Sequence, residues 1–260
     1  MTSPTPVLST SVTGSGPALL LAHDAGTRAE NDFGTVLPDL SAGHTLIAPD
    51  CPGSADTPRA GGPLALEALA DSYVAAAVAA GQDSFTIVGH SLGAAVAVRA
   101  AVRHPERVKG LVLTAGFAKP DQRARITTAM FLDYLARQDH EGYGRLAALT
   151  AFGDTMLSAF SADEIEYVLK KIAESPEPGA EEQFALIQTV DVTADLARIA
   201  VPTLVVAPVE DVFIAPSCSR FLADSIAGAE YAEIQAGHLV AESGPAWLAP
   251  VDTFLARHAL

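Results

Sequence analysis

A serine hydroxyl is a weak nucleophile until a base takes its proton, and a histidine base works best when an acid fixes its tautomer. The 260-residue sequence offers the three residue types in the order Ser91, Asp211, His238. Ser91 is the centre of Gly89-His90-Ser91-Leu92-Gly93, with the apolar run 85–88 before it and an alanine-rich stretch after it. A strand that turns at once into a helix holds the central residue in strained backbone, which small neighbours such as Gly89 and Gly93 permit. It also sets the hydroxyl at a helix N-terminus, where the dipole favours negative charge. The plainer alternative is a serine in an ordinary glycine turn, and a strand before with a helix after weighs against it.

His238 stands in Gln235-Ala236-Gly237-His238, on a glycine loop ahead of the last helical segment. A lone loop histidine is usually surface, and six other histidines compete with this one. Of these, His23 and His90 fall at strand ends and are expected to shape backbone rather than take a proton. Asp211 follows the apolar run 203–207, with Glu210 as its immediate rival for the acid. No carboxylate follows the run ending at Leu113, where Thr114-Ala115-Gly116 stands, so an acid displaced to that position is excluded.

Such residues need a scaffold, and the apolar runs 18–22, 45–48, 85–88, 110–113 and 203–207 predict one. Their continuous hydrophobicity is what a parallel sheet covered by helices on both faces requires. Segments 7–13 and 231–234 mix polar and apolar positions, as edge strands do, and are placed first and last, antiparallel or at an edge. Helices are predicted over 64–80, 92–103, 216–227 and 245–258, the last carrying Trp247, Val251, Phe254 and Leu255 on one face. Strand and helix alternate, so the fold class is α/β.

The stretch 118–196 breaks that rhythm with one helical pattern after another. Asp121 caps the first; Ser161-Ala162-Asp163-Glu164 is a capping box before another; Pro176-Glu177-Pro178 separates that from a helix holding Phe184 and Ile187. The stretch contains seven of the 16 aromatic residues, and Met130 and Met156 besides. Packing within the insertion accounts for most of them, but helices that cannot all lie on the sheet should line a partly apolar pocket.

From the GHSLG run through Asp211 to Gly237-His238 the chain resembles the α/β-hydrolase superfamily over nearly its whole length. Gly89 to Gly93 match its nucleophile elbow, and Asp50-Cys51-Pro52-Gly53 is similar to the turn after its fourth strand. The run from Val201-Pro202 to Ala207, with Asp211, resembles its acid loop; Gly237-His238, followed by Glu242 and Pro245, resembles its histidine loop. The resemblance implies a core of residues 1–117 and 197–260 with 118–196 as an inserted helical cap. It also implies an oxyanion hole made by the backbone N–H groups of Ala25 and Leu92. No cofactor is expected, and no metal either, since no close group of His, Cys and carboxylates has ligand-like spacing.

Two departures stand out. Where the family usually shows His-Gly, this chain has His23-Asp24-Ala25-Gly26. An ionised Asp24 would oppose a developing oxyanion, so its side chain either turns away into hydrogen bonds or marks a weak or different reaction. Ala55 and Thr57, where a glycine and a serine are usual, put little in doubt.

The expected reaction is therefore cleavage of an ester, lactone or thioester of a small, partly apolar substrate through an acyl-enzyme; an amide is within the same chemistry, but the resemblance favours esters and lactones over it. Alternatives are carbon–carbon hydrolysis, lyase or perhydrolase chemistry on the same site, or a silent ligand-binding protein. A formal charge of −15 disfavours nucleic acid and anionic bilayers as partners. No apolar run spans a membrane and no secretory signal is present, so a cytoplasmic monomer or homodimer is expected, with Cys51 and Cys218 reduced and buried.

Overall fold

The computed structural model describes residues 7–174 and 176–260, with the backbone alone for 240–243. In chain order the first half contains β1 (Thr10–Gly14), β2 (Ala18–Ala22), α1 (Ala29–Phe33), α2 (Leu37–Ser41), β3 (Thr45–Pro49), α3 (Leu66–Ala79), β4 (Phe85–His90), α4 (Leu92–Arg103) and β5 (Val108–Thr114). Then come α5 (Gln122–Ala136), α6 (His140–Ala151), α7 (Asp154–Ala159), α8 (Ala162–Glu174) and α9 (Ala180–Ile187), and a 3-10 turn at Thr193–Arg198. The chain ends with β6 (Thr203–Pro208), α10 (Pro216–Ser225), β7 (Glu230–Ile234) and α11 (Val240–His258).

The seven strands form one sheet in the order β1-β3-β2-β4-β5-β6-β7. Only β1 runs antiparallel to its neighbour; β7, at the other edge, pairs parallel with β6. The continuous apolar runs follow from the two covered faces. Leu20, Ile87, Leu111 and Val205 pack under α3, α4 and α10, while Leu19, Leu21, Val88, Val112, Leu204 and Val206 meet Trp247, Val251 and Phe254 of α11 on the opposite face. Trp247 also donates its indole N–H to Thr114 Oγ1 at 2.8 Å, so its polar edge is satisfied in the core.

Predicted and observed elements differ in instructive ways. The last helix starts at Val240 rather than 245 because a kink at Gly244 (φ 35°, ψ −112°) joins a short turn to the main helix. The helices α1 and α2, five residues each, are too short to carry a periodic signal and were not expected. Asp121 caps α5 by accepting the Ala124 N–H at 2.8 Å, and Ser161 and Glu164 form their reciprocal box. Cys51 is buried beside the Tyr73 hydroxyl, but Cys218, expected to be buried, is only half-covered because it lies in the first turn of α10 next to Asp121. Among the described residues no helix is long and apolar enough to cross a membrane.

The chain leaves β2 outward to β3 and returns to β4 on the other side, so the topological switch point lies between β2 and β4. Ligand sites of open parallel sheets sit at such points, beyond the carboxyl ends of the strands. The loops after β2, β4, β6 and β7 all open at that edge, and the helices α5 to α9 enter there after β5.

Candidate active site

The strand-to-helix turn at the end of β4 puts Ser91 at φ 53°, ψ −114°, a conformation L-residues rarely adopt. The glycines around it are required by close approach: a Cβ on Gly93 would lie 1.9 Å from the Ala22 carbonyl oxygen, and one on Gly89 would lie 2.4 Å from that of Gly93. Ser91 donates its own N–H to the Thr114 carbonyl at 3.0 Å, anchoring the turn to β5. Leu92, the first residue of α4, contributes one of the N–H groups that have no partner within the helix.

His238 and Asp211 come together from the loops after β7 and β6. His238 Nδ1 lies 2.7 Å from Asp211 Oδ2, and both side chains are almost wholly buried. The other carboxylate oxygen, Asp211 Oδ1, accepts the N–H groups of Phe213 and Ile214 at 2.8 and 2.9 Å, which fixes the plane of the acid. The rival Glu210 points elsewhere. Its carboxylate accepts from the Thr155 N–H at 2.8 Å and the Gln235 side chain at 2.7 Å, tying α7 to the acid loop.

Asp24 does not turn away. Its Oδ1 accepts the Ala25 N–H at 2.5 Å, and its Oδ2 lies 3.3 Å from His238 Nε2. Among the described residues, Ser91 Oγ and His238 Nε2 are buried polar atoms without a well-aligned hydrogen bond. Burial alone would lower the His238 pKa, but the Asp211 charge and hydrogen bond, followed by the contacts with Asp24, outweigh it and raise it to about 10. For Asp24, burial would raise the pKa; the His238 contact and charge, the His90 charge and the Ser91 hydroxyl instead hold it at about 2. Both carboxylates favour the protonated ring, Asp211 through its hydrogen bond to Nδ1 and Asp24 through its charge 3.3 Å from Nε2.

Behind this centre is a second buried pair. His90 Nδ1 donates to Asp32 Oδ1 at 2.8 Å and its Nε2 donates to the His238 carbonyl at 2.7 Å. Two acceptors require both nitrogens to be protonated, and the Asp32 charge and bond raise the His90 pKa against the lowering effect of burial. Asp32 Oδ2 also accepts the Asp24 N–H at 3.0 Å. One ion pair thereby joins the elbow, the histidine loop and the loop after β2. His23, by contrast, donates from Nδ1 to the Asp24 carbonyl at 2.6 Å and accepts the Cys51 N–H at Nε2 at 2.8 Å, so it is neutral and structural.

The sequence-predicted Ser91, Asp211 and His238 all follow the carboxyl ends of their strands; His238 touches Asp211, Asp24 lies beside His238 and next to the Ser91 hydroxyl, and Leu92 follows Ser91 at the start of α4. Ala25 lines the cavity next to Asp24, and its N–H is occupied by the Asp24 carboxylate. Asp32 was missed: it sits on a five-residue helix and meets His90 across 58 positions of sequence, which no local pattern reports.

Over the centre lies a cavity of about 420 Å³, walled by Phe131, Tyr143, Phe184 and Phe213 with Asp24 and His238 at its floor. Phe131 stacks on Phe184 with centroids 4.4 Å apart, and Phe213 meets the His238 ring at 5.0 Å. The helical insertion is tied to the core by polar contacts. Gly26 donates its N–H to Gln183 Oε1 at 2.7 Å, Arg28 pairs with the buried Glu177 at 2.6 Å, and the Leu239 N–H reaches the Ala151 carbonyl at 3.1 Å.

The chain belongs to the α/β-hydrolase fold family, whose model matches residues 17–245. A pyrrolizixenacetamide deacetylase of Xenorhabdus hominickii is 32% identical over 236 residues, which cover 90% of this chain and 88% of the relative. Among solved structures, a thermophilic esterase from Thermogutta terrifontis matches with a TM-score of 0.84 at 22% identity, covering 97% of this chain and 94% of the other. An enol-lactonase from Burkholderia xenovorans LB400 matches with a TM-score of 0.79 at 22% identity, covering 96% of each chain. At that identity the structural likeness establishes the fold, and the chain is an enzyme of the α/β-hydrolase family.

Proposed function

We propose that the protein is a serine hydrolase that cleaves an acyl bond of a small, partly apolar substrate through an acyl-enzyme. The observation that carries this reading is the 2.7 Å contact between His238 Nδ1 and Asp211 Oδ2, together with a strand-to-helix turn that holds Ser91 at φ 53°. Ser91 Oγ attacks the carbonyl carbon and its proton passes to His238 Nε2, while Asp211 keeps Nδ1 protonated and oriented. The N–H of Leu92 and, once Asp24 releases it, that of Ala25 receive the oxyanion. His238 then protonates the leaving group, and water repeats the sequence to free the acid.

The aromatic walls fit an apolar acyl or leaving group, and the helices α5 to α9 act as a cap over it. Ester, lactone and thioester bonds are within the chemistry of such a site. The deacetylase relative, which spans most of the chain, supports amides, which the resemblance alone ranks below esters and lactones. Hydrolysis of p-nitrophenyl esters of increasing chain length tests the reading. Wild-type turnover is expected to show a pre-steady-state burst, and Ser91→Ala and His238→Ala each to lose about 10³-fold or more in kcat. Undiminished turnover in Ser91→Ala would refute the assignment.

A further inference from the structure

One group at the centre of the site has no task in that mechanism, the Asp24 carboxylate. It occupies the Ala25 N–H at 2.5 Å, where an acyl oxygen would sit, and it faces the ring nitrogen that must serve Ser91. Its side chain is 14% exposed, so bulk water does little to solvate it.

The charges around it make this placement consequential. A protonated His238, whose Nε2 lies 3.3 Å from the Asp24 carboxylate, balances that charge. Once His238 gives its Nε2 proton to solvent to become a base, Asp24 is left a buried anion facing Asp211 across the ring. Among the described residues, the charged neighbours of Asp24 already have partners of their own. On the β4 turn His90 is committed to Asp32 of α1, and in the linker before α9 Glu177 is committed to Arg28. The Tyr143 hydroxyl of α6 is neutral, with burial first and then the Asp24 charge pushing its pKa up, and Lys171 of α8 pairs with Glu174 at 2.8 Å. A substrate that brings an N–H donor gives the buried carboxylate a hydrogen bond in place of the lost cation; one that brings only lone pairs does not.

We propose that Asp24 is a specificity-determining residue that accepts the N–H of a scissile amide, so that the site prefers amides to isosteric esters. This rests on the serine-hydrolase reading above. When Ser91 Oγ adds to an amide carbonyl, its proton passes to His238 Nε2 and the nitrogen becomes pyramidal. Its N–H must turn away as its lone pair turns toward His238. A carboxylate beside Nε2 takes that N–H in a charge-assisted hydrogen bond among apolar walls, where such bonds are strong. His238 then delivers its proton to the nitrogen, the C–N bond breaks, the amine departs and water cleaves the acyl-enzyme. Asp24 stays ionised throughout and gains no proton. An ester oxygen at the same place sets lone pairs against the carboxylate.

The test compares p-nitroacetanilide with p-nitrophenyl acetate, which share the acetyl and aryl groups, in wild type, Asp24→Asn and Asp24→Ala. The Asp24 backbone bonds to Asp32 and His23 do not depend on its side chain, and thermal melting of each variant checks the fold. The ratio of amide to ester kcat/KM is expected to fall about ten- to a hundredfold in both variants. In the same variants the rise of ester kcat/KM with pH should move toward acid, because His238 loses the contact that holds its Nε2 proton. A purely structural role would lower both substrates alike and leave the pH profile where it was, and either result overturns the proposal. So does a wild type that hydrolyses the ester but not the amide. Failure of Ser91 to react with a fluorophosphonate, with no turnover of either substrate, overturns the serine-hydrolase reading itself. Labelled Ser91 with an unchanged ratio overturns only the role of Asp24.

Discussion

Replacing Ser91 by glycine removes the hydroxyl and the backbone strain together, whereas alanine removes the hydroxyl and keeps the strain. At φ 53°, ψ −114° any residue with a Cβ is outside its comfortable regions, at a cost of about 1–3 kcal/mol. Glycine occupies the mirror image of the extended region without penalty but loses roughly 0.5–1 kcal/mol through the greater freedom of its unfolded chain. Ser91→Gly should therefore be more stable than Ser91→Ala by about 1 kcal/mol, or about 2–4 °C in Tm for a chain of this size. Urea denaturation of the two inactive variants, with Tm from calorimetry, measures the difference directly. The comparison cancels the lost hydroxyl, so a glycine variant no more stable than the alanine variant would refute the claim that the turn stores strain to present its side chain.

Other expectations follow from the contacts around the centre. Asp211→Asn should lower kcat by about 10⁴ with little change in fold, while Glu210→Gln, whose carboxylate faces α7, should change it less than about tenfold; steady-state kinetics on one ester separates them. His90→Gln leaves the buried Asp32 carboxylate without its cation and should cost about 3–5 kcal/mol in urea denaturation. The His90 pKa is raised on folding, so the stability its protonation contributes is complete below its ordinary value of 6.5 and lost as pH climbs through the raised one. The stability difference between wild type and His90→Gln should accordingly shrink with rising pH, and a difference that grows would contradict the assignment of His90 as an imidazolium.

How much of this is legible in the residues alone depends on whether a signal is local. The Gly89 to Gly93 run carries its own context, since strand, turn and helix lie within about a dozen positions. The continuous hydrophobicity of β2, β4 and β6 reports two covered faces, which is the fold. Asp211 is separable from Glu210 only in three dimensions, because the loop after β6 turns one carboxylate into the core and its neighbour toward the helical insertion. The direction of Asp24 is likewise invisible in sequence. It depends on the Ala25 N–H, on His238 more than two hundred positions away, and on a short helix bearing Asp32 that no periodicity announces. Cys218 shows the same limit, since its half-exposure comes from a helix end next to Asp121 rather than from its residue type.

The central claim is that Ser91 is an activated nucleophile, and intact-mass analysis after treatment with a fluorophosphonate addresses it most directly. The account predicts a single stoichiometric adduct on the wild-type protein and none on Ser91→Ala. An adduct that persists in Ser91→Ala, or a wild-type protein that takes up no label, would contradict it.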